Sequence, residues 1–205
     1  MIDPSQNVTL SAVLMSRCRE QGAKAVSALQ AGVTPRSRAF SLYGAENNID
    51  LHSNARAAEC AFCLWAGLDP MNALRWDYGN AADHDVVINN ILIDVKWAES
   101  WKRLLCWPVS KNDYYLVKKF DLMVFVRGDP PTFIVRCWMP KFGFLRCKGI
   151  ADGFNPRGLT ADTWFLHESK CLPMTEFWNR IEDGMITSLE GHTAVGLGLL
   201  GEPSR

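Results

Sequence analysis

Two aspartates and a lysine stand out by type and spacing. Asp85 is followed by Val86-Val87-Ile88, then Asn89-Asn90, then Ile91-Leu92-Ile93, and then Asp94-Val95-Lys96. Two β-branched runs around two residues that tolerate positive φ predict a tight hairpin. With a two-residue loop, Ile88 pairs with Ile91, Val87 with Leu92, Val86 with Ile93 and Asp85 with Asp94. Opposed residues share a face, with Cβ atoms about 5 Å apart. Alternation along the strand puts Lys96 on the face of Asp94. Two carboxylates held opposite one another repel, and a divalent cation would compensate. Mg²⁺ prefers oxygen ligands and commonly takes one or two carboxylates with water and a substrate phosphate. A lysine beside such an ion could orient or deprotonate a water, or stabilise charge on a phosphate. The bland alternative is an exposed hairpin end with a surface Asp–Lys pair, worth little. Asp83 competes with Asp85 for the first position. The pairing favours Asp85, because it faces Asp94.

The elements that must position these residues follow from periodicity. Apolar residues at Val8, Leu10, Val13, Leu14, Val26 and Leu29 predict a helix over 8–31. A second helix, Ala55 to Trp65, has Asn54 as its N-cap and ends at Gly67. A turn-rich stretch, Asp77-Tyr78-Gly79-Asn80, precedes the hairpin. Strands are predicted at Leu122–Arg127 and Phe133–Trp138, separated by Gly128-Asp129-Pro130-Pro131, with a short one at Thr163–His167 and a helix at Thr175–Glu182. That order predicts an α/β fold of the mixed α+β kind. The chain divides into an N-terminal helical extension (1–40), a core domain (41–183) and a Gly-rich C-terminal tail (184–205) expected to be loosely ordered.

Composition bounds the reading. The 205 residues are 48 % hydrophobic and 21 % charged, too apolar and too weakly charged for a disordered chain. No apolar run reaches the roughly 18 residues of a membrane span, and the N-terminus does not read as a secretory signal. Seven cysteines in a chain long enough to build a core without staples point to a reduced, cytoplasmic protein. Cys60 and Cys63 form a CxxC, but no second pair follows at zinc spacing, so buried free thiols are the expected reading. With 22 basic and 22 acidic groups the net charge is zero. Overall charge therefore gives no argument for nucleic acid.

The segment ADHDVVINNILIDVKWAES resembles the signature of the PD-(D/E)xK nucleases, the restriction-endonuclease-like superfamily, and in particular its small phage and prophage members. The carrying residues are Asp85, eight residues, then Asp94-Val95-Lys96. Glu59, within ARAAECAFCLWAGL, matches a glutamate that many of these nucleases carry on the first core helix. FDLMVFV and FIVRCWMPKFGF are similar to the later core strands and the passage into a helix. The likeness covers roughly residues 55–170. His84 stands where the family often has proline. The resemblance implies a central mixed β-sheet flanked by helices and metal-dependent hydrolysis of DNA phosphodiesters. Asp85 and Asp94 would hold Mg²⁺ (or Mn²⁺), with Glu59 and the Val95 carbonyl, while Lys96 positions the water. It is compatible with a homodimer, since many nucleases of this fold cut two strands by dimerising, but leaves the oligomeric state open; it implies a bacterial or phage-infected cytoplasm. The alternative is a catalytically silent relative that binds nucleic acid or a host protein.

Glu59 lies among Ala58, Ala61 and Phe62, where a carboxyl is expensive without a partner. Lys102 and Arg103, between Trp101 and Trp107, and Lys111 near Tyr114 and Tyr115, are candidate DNA contacts. Lys141, at the exit of the strand Phe133–Trp138, is another. The neutral total hides an asymmetry. Residues 96–180 carry 14 basic and 8 acidic groups, whereas residues 1–95 carry 7 and 10. The basic half begins at Lys96.

Overall fold

The hairpin forms as its residues dictate. In the computed structural model, β2 (Val86–Ile88) and β3 (Ile91–Ala98) pair antiparallel in the register Val86↔Ile93, Val87↔Leu92, Ile88↔Ile91. Asn89 and Asn90 take φ of 49° and 65°, the two left-handed positions of a type I′ turn. The structure describes residues 7–31, 48–74, 84–100, 105–108, 119–147, 149–150, 163–165 and 168–182.

Beyond the hairpin, β3 runs parallel to β5 (Leu122–Asp129), which pairs antiparallel with β6 (Thr132–Pro140). The far side of β6 carries β1 (Asn7–Thr9) at its start and β9 (Leu172–Pro173) near its end. The order is β1-β6-β5-β3-β2, a mixed sheet with β3 and β5 inside it. A separate three-stranded sheet joins β4 (Leu105–Pro108), β8 (Thr163–Phe165) and β7 (Gly149–Ile150).

Alternation sorts the sheet into two faces. Ile91, Ile93, Val95, Leu122, Val124, Val126, Phe133 and Val135 meet the helices α1 (Ala12–Gln30) and α2 (Ile49–Trp65) in the larger core. A helix at the end of the described chain, α4 (Phe177–Glu182), closes the same side. There Phe177 meets Phe62, Trp65 and Trp138 edge-on, with ring centroids 5.5–5.9 Å apart. The opposite face carries a smaller core of Phe120, Met123, Phe125, Cys137, Met139 and Phe144, the last from α3 (Lys141–Cys147).

Several boundaries differ from expectation. Val8 is not helical. Residues 7–9 form an edge strand against Thr132–Ile134, and α1 starts after Ser11, whose hydroxyl accepts the Leu14 N–H at 3.2 Å. Val8 and Thr9 are β-branched and find a sheet edge to pair with. The second helix starts well before Ala55. Asn48 is its cap and accepts the Leu51 N–H at 2.8 Å, so Asn54 lies inside the helix. Its polar first turns showed no apolar period, and packing against α1 decides them. The described part of the expected N-terminal extension, 7–31, is built into the sheet and the larger core. At the C-terminal helix a 3₁₀ turn, Met174–Glu176, precedes α4. The turn-rich stretch 77–80 and the tail 184–205 lie outside the described residues.

The α1–α2 contact depends on Gly22. A Cβ there would stand 2.8 Å from the Ser53 nitrogen and 2.9 Å from the Ile49 carbonyl oxygen, both main-chain atoms that cannot swing aside. Gly22→Ala is expected to destabilise the protein by about 1–3 kcal/mol, read by denaturant melting. An alanine variant as stable as the wild type would show that the two helices separate at little cost.

Candidate active site

Strand β3 fixes the first two residues of the site. Val95 faces the helices, so Asp94 and Lys96 stand on the opposite face with Leu92, Met123 and Phe125. Asp94 is 0 % exposed. Its Oδ2 lies 2.6 Å from the Lys96 ammonium, itself only 16 % exposed. A carboxylate taken wholly out of water loses several kcal/mol of hydration, which its partner offsets only with close geometry. The ion pair is therefore more than an exposed Asp–Lys contact at a hairpin end.

Asp85 is near that pair, but not as strand pairing alone predicts. The ladder stops at Val86↔Ile93. The Asp85 N–H donates to the Ile93 carbonyl at 2.8 Å, and its carboxylate Oδ2 accepts the Val95 N–H at 2.7 Å. The side chain thus takes the amide that a continued ladder would give to a main-chain carbonyl. The carboxylate is held along the edge of β3, on the amide of the residue that follows Asp94.

Glu59 belongs to α2, which packs on the Val95 face. It is 5 % exposed and ion-paired with Arg56, three residues earlier on the same helix. Burial pushes its carboxyl up to about 8, and the Arg56 guanidinium opposes the rise. Asp85 adds to the rise, and Lys96 weakly counters it. Glu59 is therefore within the electrostatic reach of the hairpin site. It does not complete a three-carboxylate set. Among the described residues no three of His, Cys, Asp or Glu stand close enough to hold one ion. The physical reason is the alternation of β3, which turns Asp94 away from the face that α2 covers. Asp85 and Asp94 remain as oxygen donors beside one strand, with the Val95 main chain between them. That donor set suits Mg²⁺, which is content with one or two carboxylates.

The remaining candidates divide. Lys141 is 7 % exposed, its N–H donates to the Asp121 carbonyl at 2.8 Å, and its ammonium lies 4.8 Å from the Phe120 ring centroid. It serves the smaller core and is too enclosed to form part of an outer basic surface. Lys102, Arg103 and Lys111 lie outside the described residues. Cys60 and Cys63 are buried free thiols within the larger core. Burial raises the Cys63 thiol to about 12, so it stays neutral at ordinary pH. Arg56 is the residue that sequence reasoning missed. Its i, i+3 spacing from Glu59 was the available signal.

Compared with protein-family models, with curated proteins and with solved structures, the chain matches none. The structure itself defines the class: a mixed α+β protein whose mixed sheet is flanked by helices on both faces. No described helix is long and apolar enough to cross a membrane.

The Glu59 environment makes stability fall with rising pH. A carboxyl raised from 4.5 to about 8 holds a proton in the folded state that the unfolded chain has already released. Between those values the folded state binds more protons, so each step up in pH costs stability, at most ~1.4 kcal/mol per unit. In EDTA, the wild-type melting temperature should decline from about pH 5 to about pH 8. Glu59→Gln, which cannot ionise, should show a flatter profile. Parallel profiles would mean that Glu59 is ionised throughout.

Proposed function

We propose that this protein is a metal-dependent nuclease that hydrolyses DNA phosphodiester bonds, with a restriction-endonuclease-like core. The observation that carries the reading is the wholly buried Asp94, ion-paired to Lys96 two residues along one strand, with the Asp85 carboxylate anchored on the amide between them. Replacing a buried ion pair by well-packed apolar residues is often neutral or stabilising. A charged pair of this kind on an inner strand is thus better explained by chemistry than by stability. The match of these residues to the Asp…Asp-x-Lys pattern supports the same reading.

Asp85 and Asp94 would hold Mg²⁺, together with the Val95 carbonyl. Bound there, the ion would polarise the phosphate and lower the pKa of its water. Lys96 orients the attacking water and holds positive charge beside the phosphate oxygens as negative charge develops on them. Asp94 keeps the ammonium aimed, because a long lysine side chain would otherwise sample many rotamers. The Val95 N–H fixes Asp85 in the same way.

DNA cleavage in Mg²⁺ or Mn²⁺, abolished by EDTA, is the expected behaviour of the purified protein. Asp94→Asn, Asp85→Asn and Lys96→Ala should each lower the rate by roughly 100-fold or more; Lys96→Ala also strands a buried carboxylate and should lower the melting temperature, so rates are compared below each variant's own melting transition. Wild-type cutting by Asp85→Asn or Lys96→Ala would refute the assignment. A wild-type protein that binds DNA yet never cuts it would instead be a silent relative.

A further inference from the structure

On the face that carries Asp94 and Lys96 there is a second cluster of charge that the proposed chemistry does not use. Arg127 continues β5 beyond Phe125, opposite Ala98 of β3. Since Ala98 shares the parity of Asp94 and Lys96, Arg127 belongs to their face. It lies one strand over and two residues along from Lys96, a Cα separation of roughly 8 Å from strand geometry.

Arg136 reaches the same place by a different device. The β5–β6 register shifts between Phe125↔Cys137 and Val126↔Val135, so Arg136 is the extra residue of a β-bulge. A bulge sets two residues of one strand against one of its partner and re-aims a side chain. Both guanidiniums then meet one carboxylate. Arg127 Nη2 is 3.5 Å from Glu168 Oε2, and the Arg136 Nε–H donates to Glu168 Oε1. Glu168 opens a 3₁₀ turn, Glu168–Lys170, whose Cys171 N–H donates to the Glu168 carbonyl at 2.9 Å. Within this trio two cations share one anion, leaving one net positive charge.

Two further observations bear on what the pair can bind. Arg127 Nε is buried with no hydrogen-bond partner, although a guanidinium presents five donors in a fixed fork. Arg136 is 49 % exposed and open to a ligand. Arginine pairs suit planar recognition of phosphate oxygens by two parallel N–H bonds.

We infer that Arg127 and Arg136, held by Glu168, form a phosphate subsite for the nucleic-acid backbone on the Lys96 face of the sheet. The subsite rests on the nuclease reading only for its ligand class. It binds a phosphodiester flanking the one at Lys96, and so sets the direction in which a strand crosses β3 and β5. Arg127 and Arg136 are positioning residues. Glu168 limits their charge and keeps the two forks together in the free protein.

The test is binding of a fluorescein-labelled oligonucleotide in EDTA over a range of salt concentrations. Arg127→Gln and Arg136→Gln should each weaken binding and reduce the slope of log affinity against log salt by about 1. Glu168→Gln keeps a hydrogen-bond acceptor but removes the negative charge, so it should tighten binding. Lys24→Gln, an exposed site on α1, measures the effect of net charge alone. Arginine variants that shift binding no more than Lys24→Gln overturn the inference, as does a Glu168→Gln protein that binds no tighter than wild type. Melting temperatures separate lost binding from lost folding. Cleavage in Mg²⁺ keeps the two readings apart. Cutting with unmoved salt slopes defeats only the subsite, and moved slopes without cutting defeat only the nuclease.

Discussion

Strand β3 is buried on both of its faces, and its strict alternation is the constraint that the rest of the protein serves. Ile91, Ile93 and Val95 close the larger core beneath α1 and α2, while Leu92, Asp94 and Lys96 stand on the other side. A slip of one residue would turn Asp94 and Lys96 onto the larger apolar core and carry Val95 to the opposite face. The β2 hairpin with its Asn89-Asn90 turn pins one edge of the strand, and the parallel ladder to β5 pins the other. Burial energy on the helical side thereby fixes the position of charge on the opposite side.

Asp94, Asp85 and Glu59 each have a specific counterpart near the hairpin. Asp94 has the Lys96 ammonium, Asp85 the Val95 amide and Glu59 the Arg56 guanidinium. The three pairings are made on different elements. Asp94 is satisfied along its own strand, Asp85 across the hairpin, and Glu59 along its own helix. This explains why Glu59 can feel Asp85 and Lys96 without joining Asp85 and Asp94 as a common ligand set. It also explains the rise of the Glu59 carboxyl. The helix buries it against the sheet, and one arginine does not replace the lost water.

Helices and sheet share the work of rigidity. Gly22 lets α1 approach the backbone of α2, and the Phe177 ring ties α4 to Phe62, Trp65 and Trp138. The Trp97 indole N–H donates to the Gly128 carbonyl at 2.9 Å, joining the far ends of β3 and β5. Side chains aimed from inner strands keep their geometry better than those on loops. That is a suitable base for Asp94 and Lys96, whose separation must be held within a fraction of an ångström for any joint chemistry.

Much of this was legible from local residue order. The β-branched runs around Asn89-Asn90 specify the hairpin and its register, because the turn admits only one pairing. The i, i+2 spacing of Asp94 and Lys96 puts them on one face by the pleat alone. Strands β5 and β6 showed their apolar runs and the proline-bearing turn between them. What failed was long-range. Val8 reads as helical until β6 offers it an edge, and the polar start of α2 has no apolar period until α1 packs on it. Asp85 leaves its ladder because its own carboxylate competes for the Val95 amide. The sequence by itself determined that two aspartates and a lysine would gather at one hairpin. Only the tertiary structure decided that Asp94 is wholly buried, that the helix of Glu59 packs on the Val95 face, and that a bulge sets Arg136 with Arg127 on Glu168. Burial and the choice of sheet face depend on which distant segment covers each side of a strand, and local spacing carries no record of that.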